Sequence, residues 1–249
     1  MKVTQIEAAQ ADPSSILSLE DIAHARTPDE LKAWLFRKFQ DFERSDDAKR
    51  YLRLRRGLSK KLVEELLPLS LLGAELQKGG AILSINPTTG NESYDAIVNV
   101  KEDEKWKPYL VEVTVAIDGH DDSLRMEHLN RHGRVSLTNP IIGQEGTRKT
   151  GRSLRFVNIA ANGNDLREKV FNLVYEAARS KAEKQYPKHS WLLVGFEDIL
   201  GFTDASHQKE LLYVWHRGCD FLLNSFSRAF LVGLHRSFFA ELRRDWYPS

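Results

Sequence analysis

The chain has 249 residues, 41% of them hydrophobic and 29% charged, which is enough apolar material for a core and an ordinary charge content. Its 36 Lys and Arg nearly cancel 35 Asp and Glu, so the net charge of +1, taken whole, advertises no polyanionic partner. The single cysteine, Cys219, excludes an internal disulfide; with neither a signal-peptide core at the start nor an apolar run of about 18 residues, the expectation is a cytoplasmic protein without a membrane partner.

Residues 1–15 are small and polar and read as an arm. From Thr27 the sequence TPDELKAWLFRKFQDF carries an N-cap, a proline at the first helical position and Glu30 at the capping-box position, followed by Leu31, Trp34, Leu35 and Phe39 at helical spacing. A second helical stretch covers Asp46 to Leu76, with interruptions expected at Gly57 and Pro68 and a stop at Gly79 and Gly80. The period then becomes strand-like. AILSI (81–85), YDAIVNV (94–100) and YLVEVTVAI (109–117) read as three consecutive antiparallel strands, separated by the turns NPTTGNES and KEDEKWKP.

DGHDD reads as a loop and LRMEHLNRH as a short helix. Two extended pieces, RVSLTNPI and RSLRFVNIA, flank GQEGTRKTG. A helix over Asp165 to Lys184, the strand SWLLVGF, a short helix near Gln208 to Leu212 and the strand FSRAFLVGL complete the pattern. The order predicts an α/β (α+β) domain with a mixed sheet. The C-terminal aromatic residues (Trp215, Phe221, Phe226, Phe230, Phe238, Phe239) read as core, with a homodimer surface as the alternative.

The three-strand meander is where chemistry is expected. With the hairpin centred between Glu104 and Lys105, Asp95 falls opposite Thr114 and one diagonal step from Glu112, and all three side chains share a face. Apolar runs surround both carboxylates, as expected for a central strand. Two such carboxylates are costly unless neutralised, and a divalent cation held by hard oxygens does this. A helix running antiparallel to the first strand covers its roughly 17 Å in about 11 residues. Counting back from Lys78 reaches Glu65, then Glu64, as the third carboxylate.

Helix with Glu, then SYDAIV bearing Asp95, then YLVEVTVA bearing Glu112 resembles the core of the PD-(D/E)XK nuclease superfamily, and the E-x-T form resembles bacterial proteins carrying that variant. The resemblance covers residues 58–140. It implies a restriction-endonuclease-like mixed central sheet flanked by helices over 57–249, with an arm and helical extension over 1–56. It further implies Mg²⁺-dependent (or Mn²⁺-dependent) endonuclease hydrolysis of DNA, with Asp95, Glu112 and the Val113 carbonyl holding metal and Glu65 or Glu64 assisting. Two departures stand out. Thr114 occupies the position of the lysine that activates water, and Tyr94 that of the proline before Asp95. A lysine from elsewhere, such as Lys60 or Lys61, must then serve, or the metal alone activates water, or the site is catalytically degenerate and the protein a nucleic-acid-binding or interaction module.

Divided by segment, charge becomes informative. Residues 37–61 hold ten Lys and Arg against four Asp and Glu, and residues 131–155 hold six against one. Arg148, Lys149, Arg152 and Arg155 are one candidate set for phosphate contacts, and Arg53 and Arg56, with Arg50 and Arg55, a second. GQEGTRKT misses the P-loop glycine before its lysine, and no helix follows. His128 and His132 are spaced to share a metal, but no second cluster completes a tetrahedral site.

Overall fold

The computed structural model describes residues 12–135, 141–145, 153–157, 163–198, 205–235 and 238–242, with only the backbone described for 141–145 and 153–157. Eight helices punctuate these segments: α1 (Leu19–Ala23), α2 (Pro28–Glu43), α3 (Asp46–Arg53), α4 (Leu58–Lys61), α5 (Leu67–Lys78), α6 (Gly119–His132), α7 (Gly163–Ala182) and α8 (Ala205–Gly218). A π-helical turn, Leu62–Leu66, joins α4 to α5. The strands are β1 (Leu83–Pro87), β2 (Ala96–Glu102), β3 (Lys105–Ala116), β4 (Ile141–Glu145), β5 (Ser153–Val157), β6 (Ser190–Phe196), β7 (Arg228–Gly233) and β8 (Phe239–Glu241).

The protein is α+β. Six strands form one mixed sheet in the order β1-β2-β3-β6-β7-β8, and β4 and β5 form a separate antiparallel ribbon. β1, β2 and β3 are the antiparallel meander, whereas β3, β6 and β7 run parallel, which needs the long crossovers that α6, α7 and α8 supply. Helices cover both faces. Leu31, Trp34, Leu66, Leu69 and Leu72 of the N-terminal helices pack with Val98, Val111 and Val113 on one side. Val174, Ala178, Leu211 and Trp215 of α7 and α8 pack with Leu192, Val194 and Phe196 on the other. All seven residues of β6 are therefore buried, as a parallel strand covered on both faces requires.

Local chemistry explains most boundaries. Thr27 and Glu30 form the expected capping box: the Thr27 N–H donates to the Glu30 carboxylate at 2.8 Å, and the Thr27 hydroxyl accepts from the Glu30 N–H. Gly57, at φ +51, breaks the second helical stretch, and Gly79 and Gly80 end it. Pro68 does not interrupt. A proline ring crowds the carbonyl four residues back, and here the chain passes from the wider π turn into α5 just before it.

The hairpin turn is tighter than expected. Asp103 and Glu104 both have positive φ, a two-residue turn whose twist matches the strands, so β1 and β2 begin two residues later than the apolar runs suggest and β3 reaches back to Lys105. DGHDD is not a loop. Asp118 caps α6 by accepting from the His120 and Asp121 N–H groups, and the rest of that segment is its first turn. The short helix expected near Gln208 is the 14-residue α8, because its apolar face continues through Trp215. The C-terminal aromatics are core: Trp215, Phe226, Phe230 and Phe238 are buried, and Phe221 and Phe239 pack against them. Among the described residues, no helix is long and apolar enough to cross a membrane.

Candidate active site

Strands β2 and β3 pair Ala96 with Val111, and continuing this register places Asp95 directly opposite Glu112 rather than Thr114. The slip from expectation is two residues, set by the two-residue turn. A slip of two leaves unchanged the face that strand alternation assigns to each residue.

Asp95 sits where the β2 ladder ends. Its N–H donates to the Val111 carbonyl at 2.9 Å, and its own side chain then replaces the next rung, accepting from the Val113 N–H at 2.8 Å. The carboxylate is thereby held near the plane of the sheet. A strand residue's N–H and C=O leave from the same edge, so the Val113 carbonyl lies on the edge that Asp95 closes. Thr88 fixes the approach: its N–H donates to the Asp95 carbonyl and its hydroxyl to that of Tyr94.

Groups from both helical layers reach this point. Glu65, in the π turn on one side, lies beside Asp95 and is ion-paired to Lys61. Burial, reinforced by the negative charge of Asp95, pushes the Glu65 carboxyl up to about 7 against the opposing pull of Lys61. Glu64 turns away, bonding Arg55 at 3.0 Å and lying 3.8 Å from Lys60. Adjacent helical residues point in different directions, so only one of the two glutamates can meet Asp95.

Glu112 comes from the opposite face. It is only 8% exposed, and its carboxylate accepts from the Lys181 ammonium of α7 at 2.5 Å, with the Tyr186 hydroxyl 3.4 Å from the same oxygen. Burial, with Glu112 and Asp95 adding negative charge, raises the Tyr186 phenol far above its ordinary value. Thr114 shares the Glu112 face by strand alternation and is half-buried, in register with Val194 of β6.

Two lysines thus face three carboxylates. Lys181 is the residue that sequence reasoning missed, because it lies 69 positions from Glu112 on a helix whose charged residues look like a solvated face. Its only signal was i,i+3 spacing from the buried Ala178.

The donor set is hard oxygen throughout, which suits Mg²⁺ or Mn²⁺ in kind. Glu65 and Glu112 approach from opposite layers, however, and among the described residues no three acidic, histidine or cysteine groups converge on one ion position. The residues fit an ion held by one or two carboxylates together with water and substrate oxygens, the usual habit of Mg²⁺.

Of the remaining candidates, Arg148, Lys149 and Arg152 lie outside the described residues, and of Arg155 only the backbone in β5 is described. Arg53 is half-buried, donating to the Asn130 side chain of α6 at 3.4 Å, and Arg56 is exposed. The rings of His128 and His132 lie 4.3 Å apart on α6.

Fold and site together define an α+β protein with a carboxylate–lysine centre at the end of its second strand. Compared with protein-family models, with curated proteins and with solved structures, the chain gives no match.

Proposed function

We propose that the chain is a metal-dependent nuclease hydrolysing phosphodiester bonds in DNA on a restriction-endonuclease-like fold. The observation that carries the reading is the Lys181 ammonium on Glu112, a cation delivered from α7 to the strand where Thr114 supplies none. Asp95, Glu112 and the Val113 carbonyl would hold Mg²⁺ or Mn²⁺. Such an ion polarises the phosphate and lowers the pKa of a bound water.

The chain's own groups do the rest. Lys181 would turn from Glu112 toward the scissile phosphate as its partner's charge is taken up elsewhere, stabilising negative charge as it builds. Glu65, beside Asp95 and with its carboxyl raised to about 7, would accept or return a proton. Thr114 has a hydroxyl but no charge, and would at most orient water.

A second reading, a catalytically degenerate module that binds nucleic acid without cutting it, draws on one observation. Lys61 and Lys181 are already ion-paired with Glu65 and Glu112, an arrangement that a purely structural salt-bridge cluster would also have. The deciding experiment incubates the protein with plasmid, single-stranded and branched DNA in Mg²⁺ and Mn²⁺, beside Asp95→Ala and Glu112→Ala. Cleavage by the wild type that both variants lose supports the nuclease. Metal-independent binding with no cleavage of any substrate supports the module.

A further inference from the structure

Outside the acidic centre, positive charge gathers where α3 meets α6. The two helices are far apart in sequence and are tied by side chains: Arg53 donates to Asn130, and Arg55 bridges Glu64 at 3.0 Å and Asp122 at 2.9 Å. Asp122 is buried and Arg55 largely so, and Arg55 adopts φ +49, a conformation non-glycine residues rarely take. The junction is therefore a fixed one. Burial raises the Asp122 carboxyl while Arg55 opposes the shift, so the pair is interdependent.

Exposed arginines flank that junction in sequence. Arg50 is exposed one turn before Arg53 and Arg56 is exposed just beyond it, while Arg131 in the last turn of α6 and Arg134, past the Gly133 cap, are exposed as well. Arg131 pairs with Glu127 on its own helix. Arg50, Arg56 and Arg134 make no ion pair with the described residues. Residues 131–155, which continue from the end of α6, hold six Lys and Arg against one acidic residue. The junction also adjoins the candidate active site, because Arg55 holds Glu64 and the next residue, Glu65, meets Asp95.

We infer that the α3–α6 junction is a binding ridge for the phosphate backbone of duplex DNA, with Arg50, Arg56 and Arg134 as contact residues and Arg53 and Arg55 as positioning residues. Arginine suits this partner because its planar fork pairs with phosphate oxygens through two hydrogen bonds. Guanidinium groups in and just beyond the last turns of two helices suit a polyanion of closely spaced charges. Neither part builds the ridge alone; the N-terminal extension and the segment leaving α6 each supply contacts. The choice of partner rests on the nuclease reading, but binding on the ridge requires no cleavage.

The test uses the full chain carrying Asp95→Ala, so that bound DNA stays intact, and a fluorescent duplex of about 20 base pairs. Affinity is measured across a salt series for this protein, for a ridge variant (Arg50→Ala, Arg56→Ala and Arg134→Ala) and for a control that removes the same charge from exposed positions elsewhere (Lys188→Ala, Lys209→Ala and Arg217→Ala). The ridge variant should bind at least tenfold more weakly at low salt, with the slope of log affinity against log salt reduced by about three, while the control stays within about twofold. Equal losses in both variants, an unaffected ridge variant, or no binding by the parent would overturn the proposal. Cleavage by the protein without Asp95→Ala is scored separately, so a ridge that binds in a protein that does not cut fails the nuclease reading alone.

Discussion

At the scale of single residues, the centre is governed by charge balance across the sheet. Glu65 has its carboxyl raised from 4.5 to about 7, so the folded protein binds a proton there that the unfolded chain has already released. Stability contributed by this group is present below about 4.5 and is lost as pH rises toward 7. In metal-free buffer, the melting temperature of the wild type should therefore fall over that window relative to Glu65→Gln, which cannot titrate; parallel curves for the two proteins would remove Glu65 as the cause. Lys181 has a different signature. Lys181→Met should reduce cleavage about a hundredfold, the lower end for loss of a charge-stabilising or proton-transfer group, with duplex affinity unchanged. Because Thr114 lies on the Glu112 face, adding Thr114→Lys to Lys181→Met should recover part of the rate. Single-turnover cleavage assays separate these effects, and full activity of Lys181→Met would assign that lysine to structure alone.

At the scale of elements, the site depends on how the second helical stretch is broken. Gly57 places α4 at an angle to α3, and the π turn then directs Glu65 to Asp95 and leaves Glu64 to Arg55. A side chain at position 57 would meet the Tyr51 hydroxyl as well as adopt an unfavourable φ. Gly57→Ala should destabilise the protein by about 1–3 kcal/mol, read from the midpoint of urea unfolding. The hairpin offers a parallel lesson. Its face assignment was legible from alternation, which a slip of two residues leaves intact, but its register required the φ values of Asp103 and Glu104. The spread of charge along α7 gave no indication that Lys181 turns inward; only its spacing of three from Ala178 pointed that way.

At the scale of the whole molecule, the N-terminal extension is part of the main core. Ile22, Leu31, Phe42 and Ala48 lie in the same buried cluster as Ile85, Val98 and Trp191. Unfolding should accordingly be one transition for the extension and the sheet. Phe42→Ala removes a fully buried ring and should cost about 3–5 kcal/mol, lowering the urea midpoint seen by far-ultraviolet circular dichroism and by tryptophan fluorescence together. Two separate transitions would show that the extension folds on its own. The sequence by itself determined most of the elements and their order, α1 and β8 excepted, because helix caps, turn glycines and apolar periodicity are local and are satisfied within a few residues of where they are written. It also determined that Glu112 and Thr114 share a face, since strand alternation has a period of two. Only the tertiary structure decided that Glu65 rather than Glu64 meets Asp95, that Lys181 pairs with Glu112, and that Arg53 of α3 meets Asn130 of α6. Each of these joins residues on different elements, and the distance between two elements is fixed by packing across the core, which no local pattern encodes.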